Sequence, residues 1–355
     1  AWTESAMLDS QTWRWMLGIE LIPAVLYFFS LRFVPESPRW LAMQGNSNEA
    51  MKVLRLFNGA EQAKTELKLI TRSLTAGAEA AAGGFRSLLE PSLRKVMVIG
   101  LVVAILQQIT GINAVFFYAP MIFEQSGIGT DASFMQAVLV GLTNLVFTIV
   151  AMTLIDKLGR KPLLVFGVAG MAVSMLVLSW GFSQASYSID SSLLAALPAT
   201  ADLPALKPLT GVTYDTDLAF RAALIQQLGE DGFLKIESEL LSNAINIQPG
   251  IILAGILGFV ACFAISIGPV MWVLFSELFP NRVRGVAISI VGLVNSAVSF
   301  LVQLLFPWQL ANLGNASTFL MYGIFALLGL GLVLWLLPET RGKTLEDLET
   351  SLVGQ

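Results

Sequence analysis

Gln107, Gln108 and Asn113 stand in the middle of an otherwise apolar stretch, Val96 to Phe123. Each amide offers two donors and a carbonyl acceptor, and costs less than a carboxylate to hold away from water. Such groups match the hydroxyls of a neutral sugar ring. They suit a second role equally well, because Asn and Gln also bond helices to one another inside a membrane. On an unbroken helix Gln108 and Asn113, five residues apart, diverge by about 140°; loosening at Gly111, with Pro120 further on, would make them converge. Asn144 offers the same chemistry in another apolar stretch and, taken alone, is more often helix glue. Trp272 follows a Gly268-Pro269 break: an indole face suits the C–H face of a sugar and its N–H donates one hydrogen bond, while packing and interfacial anchoring are its other uses. Glu20 lies sixteen residues before Glu36, roughly 24 Å along a helix. A carboxylate there is protonated, matched to a cation, or turned to a water-filled vestibule.

Other chemistries are excluded by absence. The 355 residues contain no histidine and one cysteine, Cys262, and no G-x-G-x-x-G, Walker or G-x-S-x-G motif. Catalytic dyads, zinc sites, disulfide frameworks and nucleotide loops are therefore not expected, nor is any cofactor or metal. Twenty-five acids against 21 bases, with no long basic run, exclude nucleic acid as a partner.

Elements that could position these groups are membrane helices. Charged residues make up 13% of the chain, against roughly a quarter in soluble domains, and the mean hydropathy is +0.72. Seven stretches reach the length a bilayer demands: Trp13 to Phe33, Val96 to Phe123, Ala132 to Ile155, Pro162 to Phe182, Pro249 to Phe275, Ala287 to Pro307 and Ser317 to Leu337. Nine bases between Pro35 and Lys95 assign that segment to the cytoplasm, and alternation carries the loops 156–161 and 276–285 and the C-terminal tail to the same side. The connection 183–248, with three bases and eight acids, falls outside; its stretches DLAFRAALIQQL and FLKIESELLSNAI have helical period and suggest a small cap. PESPRWL at Pro35 to Leu41 has an echo in PETRGKTL at Pro338 to Leu345, six spans later. A tandem of six-helix halves, lacking about five helices at its N-terminus, accounts for that spacing.

PESPRWL, QQITGINAVFFYAP, DKLGRKP, GPVMWVLFSELFPNRVRG and PETRGKTLEDLE, in this order, resemble the sugar porter family of the major facilitator superfamily, with a likeness to bacterial xylose–proton symporters and glucose facilitators. The resemblance implies an all-α membrane protein: residues 1–34 as the last helix of an N-terminal half, 35–95 as a cytoplasmic helical linker, 96–337 as a six-helix bundle with the insertion 183–248, and 338–355 as a cytoplasmic tail. It implies a secondary transporter of a monosaccharide in the cell membrane, not an enzyme, with the missing N-terminal half needed to complete the site. Sugar-binding positions carried over are Gln107, Gln108, Asn113, Phe117, Asn144, Trp272 and Asn295. Ser296 replaces a tryptophan common in the family and Phe117 a tyrosine, which leaves the substrate's identity open. Glu20 carries over as a proton-coupling group, implying symport; facilitative uniport and a transporter-like receptor are the alternatives. Glu36, Arg39, Asp156, Arg160, Glu277, Arg284, Glu339 and Arg341 sit at helix ends, where salt bridges between halves would latch one conformation and positive-inside anchoring accounts for part of the charge.

Overall fold

A computed structural model describes residues 14, 18–79, 88, 90–124, 126, 130–196, 203–280 and 283–341. The start of the first expected span and the tail beyond Arg341 lie outside the described residues. The chain divides into two compact units, Ala1–Ala82 and Gly83–Gln355.

The first unit begins with α1 (Leu21–Ser30), whose sequence LIPAVLYFFS is apolar on every face and none of whose residues is buried. Pro38 then opens α2 (Pro38–Met43) at a position where its missing N–H costs nothing. Helices α3 (Ser47–Asn58) and α4 (Ala60–Glu79) pack on α2, burying Leu41, Ala50, Leu54 and Ala63.

The second unit contains α5 (Pro91–Ile109), α6 (Ile112–Glu124), α7 (Thr130–Leu158), α8 (Arg160–Ser183), α12 (Pro249–Ile265), α13 (Ile267–Leu278) and α14 (Arg284–Leu336). Among the described residues, five helical stretches are long and apolar enough to cross a membrane: Pro91–Glu124, Val138–Leu158, Arg160–Ser183, Pro249–Leu278 and Arg284–Leu336. The last has 53 residues, yet Tyr322 Oη donates to Gln309 Oε1 over 2.8 Å. Thirteen residues of straight helix would hold those groups about 20 Å apart, so α14 folds back on itself at Gly314, where φ is +77°. Its two arms are the two spans expected at 287–307 and 317–337. α8 packs against α12 and α14, while α5 lies against α14 and α7 against α12.

Between α8 and α12 the chain builds a small body with its own core. Strands β1 (Ser186–Ser188), β2 (Thr213–Tyr214) and β3 (Ile245–Asn246) form an antiparallel sheet in the order β2-β1-β3, flanked by α9 (Ser191–Ala196), α10 (Leu203–Leu206) and α11 (Asp217–Ala244). Arg221 pairs with Glu237 sixteen residues later, so α11 is itself a hairpin that turns at Gly229 (φ +69°). Tyr187, Ile189, Phe220, Leu224, Phe233 and Leu240 fill the interior, with Tyr187 and Phe220 stacked at 5.5 Å. The helical period of α11 was visible in the sequence. The strands are two or three residues long, too short to show an alternation.

Asp217 ties this body to the α14 corner. Its Oδ2 accepts the Asn315 N–H at 3.0 Å, capping the second arm of α14 where a free helix N-terminus would need a partner. The corner accommodates it because residue 314 is glycine: a Cβ there would sit 2.6 Å from Asp217 Oδ1.

Candidate functional site

Gln107 and Gln108 occupy the last turn of α5, which ends at Ile109. Thr110 Oγ1 turns back to the Gln107 carbonyl (3.1 Å), the Gly111 N–H bonds the Gln108 carbonyl (2.9 Å), and Gly111 takes φ +91°, which an L side chain resists by roughly 1–2 kcal/mol. A new helix, α6, starts one residue later. The loosening expected at Gly111 is thus present, and it lets Asn113 Nδ2 reach Gln108 Oε1 at 2.8 Å.

Asn295, on the first arm of α14, closes the group. Its Nδ2 donates to the Ala104 carbonyl (3.0 Å) and to Gln107 Oε1 (2.8 Å), while its Oδ1 accepts from Gln108 Nε2 (3.1 Å). Gln107 Nε2 reaches across to the carbonyls of Ile267 and Gly268 at 3.3 and 3.4 Å. Asn113 Nδ2 also donates to Ser299 Oγ (2.6 Å), which receives Gln303 Nε2 at 2.9 Å. The result is a continuous amide circuit joining α5, α6, α13 and α14, with Gln107, Gln108 and Asn295 buried.

A cleft of about 540 Å³ opens over this circuit, within the size range of small-molecule sites. Gln108, Asn113 and Asn295 line it together with Tyr118, Ser299 and Gln303. Among the described residues, no lining side chain carries a charge, and none is a histidine, carboxylate or thiol that could act as base or nucleophile. It can exchange hydrogen bonds with a neutral ligand. Gln107 stands behind the wall and braces it. Phe117 is two-thirds exposed on α6, Asn144 is half-buried on α7, and Trp272, half-exposed on α13, sets its ring edge-on to Phe275 at 6.0 Å; none of the three lines the cleft. Tyr118, Ser299 and Gln303 were not anticipated. A signal existed in the four-residue step Asn295–Ser299–Gln303, which puts three polar groups on one helix face.

The break near Trp272 falls at Ser266 (φ −124°, ψ −105°), two residues before the Gly268-Pro269 pair expected to make it. Pro269 has no N–H and its ring crowds the carbonyl four residues back, at Ile265, so the interruption lands one turn early. Ser266 Oγ then bonds the Cys262 carbonyl at 2.5 Å.

The charged residues gather elsewhere in the same unit. Arg160 Nη2 meets Glu277 Oε1 at 2.7 Å and Asp156 Oδ1 at 3.1 Å. Glu339 accepts the backbone N–H groups of Arg160 and Lys161 at 3.1 and 3.2 Å, placing a carboxylate on the positive end of α8. Gly159 (φ +95°) permits this approach, since a Cβ would lie 2.8 Å from Glu339 Oε2. Thr340 Oγ1 donates to Glu277 Oε2 (2.7 Å). Arg284 Nε bonds the Phe279 carbonyl (3.0 Å), and Arg341 gives its backbone N–H to Glu339 (2.8 Å). Glu20 and Glu36, both exposed, and the half-buried Arg39 belong to the first unit. The structure therefore joins Asp156, Arg160, Glu277 and Glu339 within one unit.

A family model described as "Sugar (and other) transporter" matches residues 2–196 and 233–352. The chain belongs to this family. It is a family of transporters, not of enzymes. The arabinose-proton symporter of Bacillus subtilis (strain 168) is 33% identical over 337 residues, 95% of this chain and 59% of that protein. The D-xylose-proton symporter of Escherichia coli (strain K12) is 33% identical over 98% of this chain and 58% of its own length. A solved structure of the major facilitator superfamily proton:xylose symporter XylE, bound to 6-bromo-6-deoxy-D-glucose, aligns with a TM-score of 0.69 at 32% identity, covering 98% of this chain and 61% of that one. The chain thus spans about three-fifths of its relatives' length and has the membrane-helical major facilitator fold over that part. Residues 197–232, most of the inserted body's α11 arm among them, fall outside the family match.

Proposed function

We propose that this transporter-family chain carries the sugar-binding bundle of a monosaccharide–proton symporter that works by alternating access. The observation that carries the reading is the uncharged amide cleft at the meeting point of helices interrupted at Gly111 and Ser266. A pentose or hexose is a neutral ring of hydroxyls, each donor and acceptor at once, and an amide wall answers both functions. Interrupted helices at a binding site are the usual means by which transporters let a bundle rearrange around a bound solute. The relatives named as symporters for arabinose and for xylose agree in substrate class.

In this reading Phe117, Asn144 and Trp272 face the sugar from the remaining side of the path, Glu20 takes up the coupled proton, and Glu36 and Arg39, like the Arg160 cluster, serve as cytoplasmic gating groups. Residues 35–95 and the tail 338–355 are cytoplasmic and 183–248 is external. Cells producing this bundle together with an N-terminal half should take up radiolabelled D-xylose or D-glucose. Gln108→Ala and Asn113→Ala should each weaken saccharide binding by about tenfold or more, the loss of one or two hydrogen bonds to ligand, with membrane insertion unchanged; unaltered binding removes the site. Sugar-dependent alkalinisation of the medium, abolished in Glu20→Gln, establishes symport, and its absence with uptake intact establishes uniport.

A further inference from the structure

The inserted body leaves α8 and rejoins α12 at one place, and a second cavity of about 370 Å³ opens there. Trp180 comes from the last turn of α8, Gln184 from the residue after it, Ser186 from β1, Asn246 from β3, and Gln248 and Ile251 from the start of α12. Ser186 and Asn246 are paired partners in the sheet, so their side chains share a face. The next residue of β1, Tyr187, is buried on the other face, against Phe220, which turns Ser186 toward the cavity.

We propose that this cavity is a second binding site, for a neutral saccharide. Among the described residues every lining side chain is uncharged, which removes phosphates, carboxylates and cations from the field of ligands. Three amides and a hydroxyl supply both donors and acceptors, the set that suits sugar hydroxyls. Trp180 remains 56% exposed at the lip, an indole face free to stack on the C–H face of a ring. The donor chemistry repeats that of the central cleft, yet no residue is shared between the two. A ring held here touches both chain junctions of the inserted body, so occupancy braces that body against the spans. Free monosaccharide and the sugar headgroup of a glycolipid present the same hydroxyls.

The chain, labelled with 5-fluorotryptophan and placed in nanodiscs of phosphatidylcholine without sugar-headed detergent, provides the test. The Trp180 fluorine resonance is assigned by its loss in Trp180→Phe and followed while D-glucose or D-xylose is added, or while monoglucosyl diacylglycerol replaces part of the lipid. We expect a saturable shift with the free sugars or with the glycolipid, and the responsive arm names the source. Asn246→Ala and Gln248→Ala should each weaken it by about tenfold while binding at the central cleft persists, which shows that the variants fold. Gln108→Ala should leave the Trp180 titration in place, so failure of the central site and failure of this one are read separately. The proposal is overturned by a resonance indifferent to both saccharide forms, as for a simple interfacial anchor, by a shift that survives both amide variants, or by one that vanishes with Gln108→Ala.

Discussion

Asn295 makes four functions out of one side chain: it bonds the α5 backbone, Gln107, Gln108 and, through them, the wall of the cleft. Asn295→Asp exchanges two donated hydrogen bonds for two acceptor-facing-acceptor contacts with Ala104 and Gln107. It should cost more than Asn295→Ala, by about 1–3 kcal/mol in unfolding free energy, measurable as a larger drop in the thermal midpoint of the purified chain. Gly159→Ala should release Glu339 from the α8 N-terminus and lower that midpoint too, since both the backbone angle and the space beside residue 159 exclude a methyl group. At this scale the sequence disclosed the polar residues that stood alone against an apolar background, such as Gln107, Gln108 and Asn113. Ser299 and Gln303 are less conspicuous, because a lone Ser or Gln inside a span looks ordinary until the helix face they share with Asn295 is drawn. For Gln107 the sequence left sugar binding and helix bonding equally open, and the choice is set by which neighbour's carbonyl comes within reach, here those of Ile267 and Gly268.

Helix interruptions decide how the cleft is assembled. Gly111→Ala forces a side chain into the left-handed region and brings its Cβ to 3.1 Å from the Tyr322 ring; it should destabilise by about 1–2 kcal/mol and weaken saccharide binding, because Asn113 then loses its place beside Gln108. Glycine signalled this break from the sequence alone. The second break was expected two residues too late, since proline marks itself while the disturbed carbonyl lies a turn upstream. In the inserted body, burial raises the Tyr187 phenol well above its ordinary value of 10.0, and the Asp217 carboxylate adds to this. A raised value in the folded state means that the neutral phenol is favoured by folding: the contribution is complete below pH 10 and is lost as pH climbs above it. Hydrogen exchange of residues 186–188 and 217–224 should therefore accelerate above pH 10, and Tyr187→Phe should flatten that dependence.

For the whole molecule, hydropathy disclosed the spans of the second unit, although two of them run together through the Gly314 corner, and the family motifs located the charged ends. What could not be read was the inserted body's sheet and its grip on that corner, because a capping contact between Asp217 and Asn315, 98 positions apart, leaves no local pattern. Replacing Asp217 with Ala should loosen the inserted body and the second arm of α14 together, seen as joint loss of exchange protection around residues 217–224 and 315–322; loss in only one would mean that they open independently. The amide circuit bears on the chain's working life as a whole. Its members are already content with each other, so in the proposed reading an arriving saccharide must unseat existing partners and collects only the difference. Capture would then release little heat and be easily undone, which favours rapid turnover over tight storage.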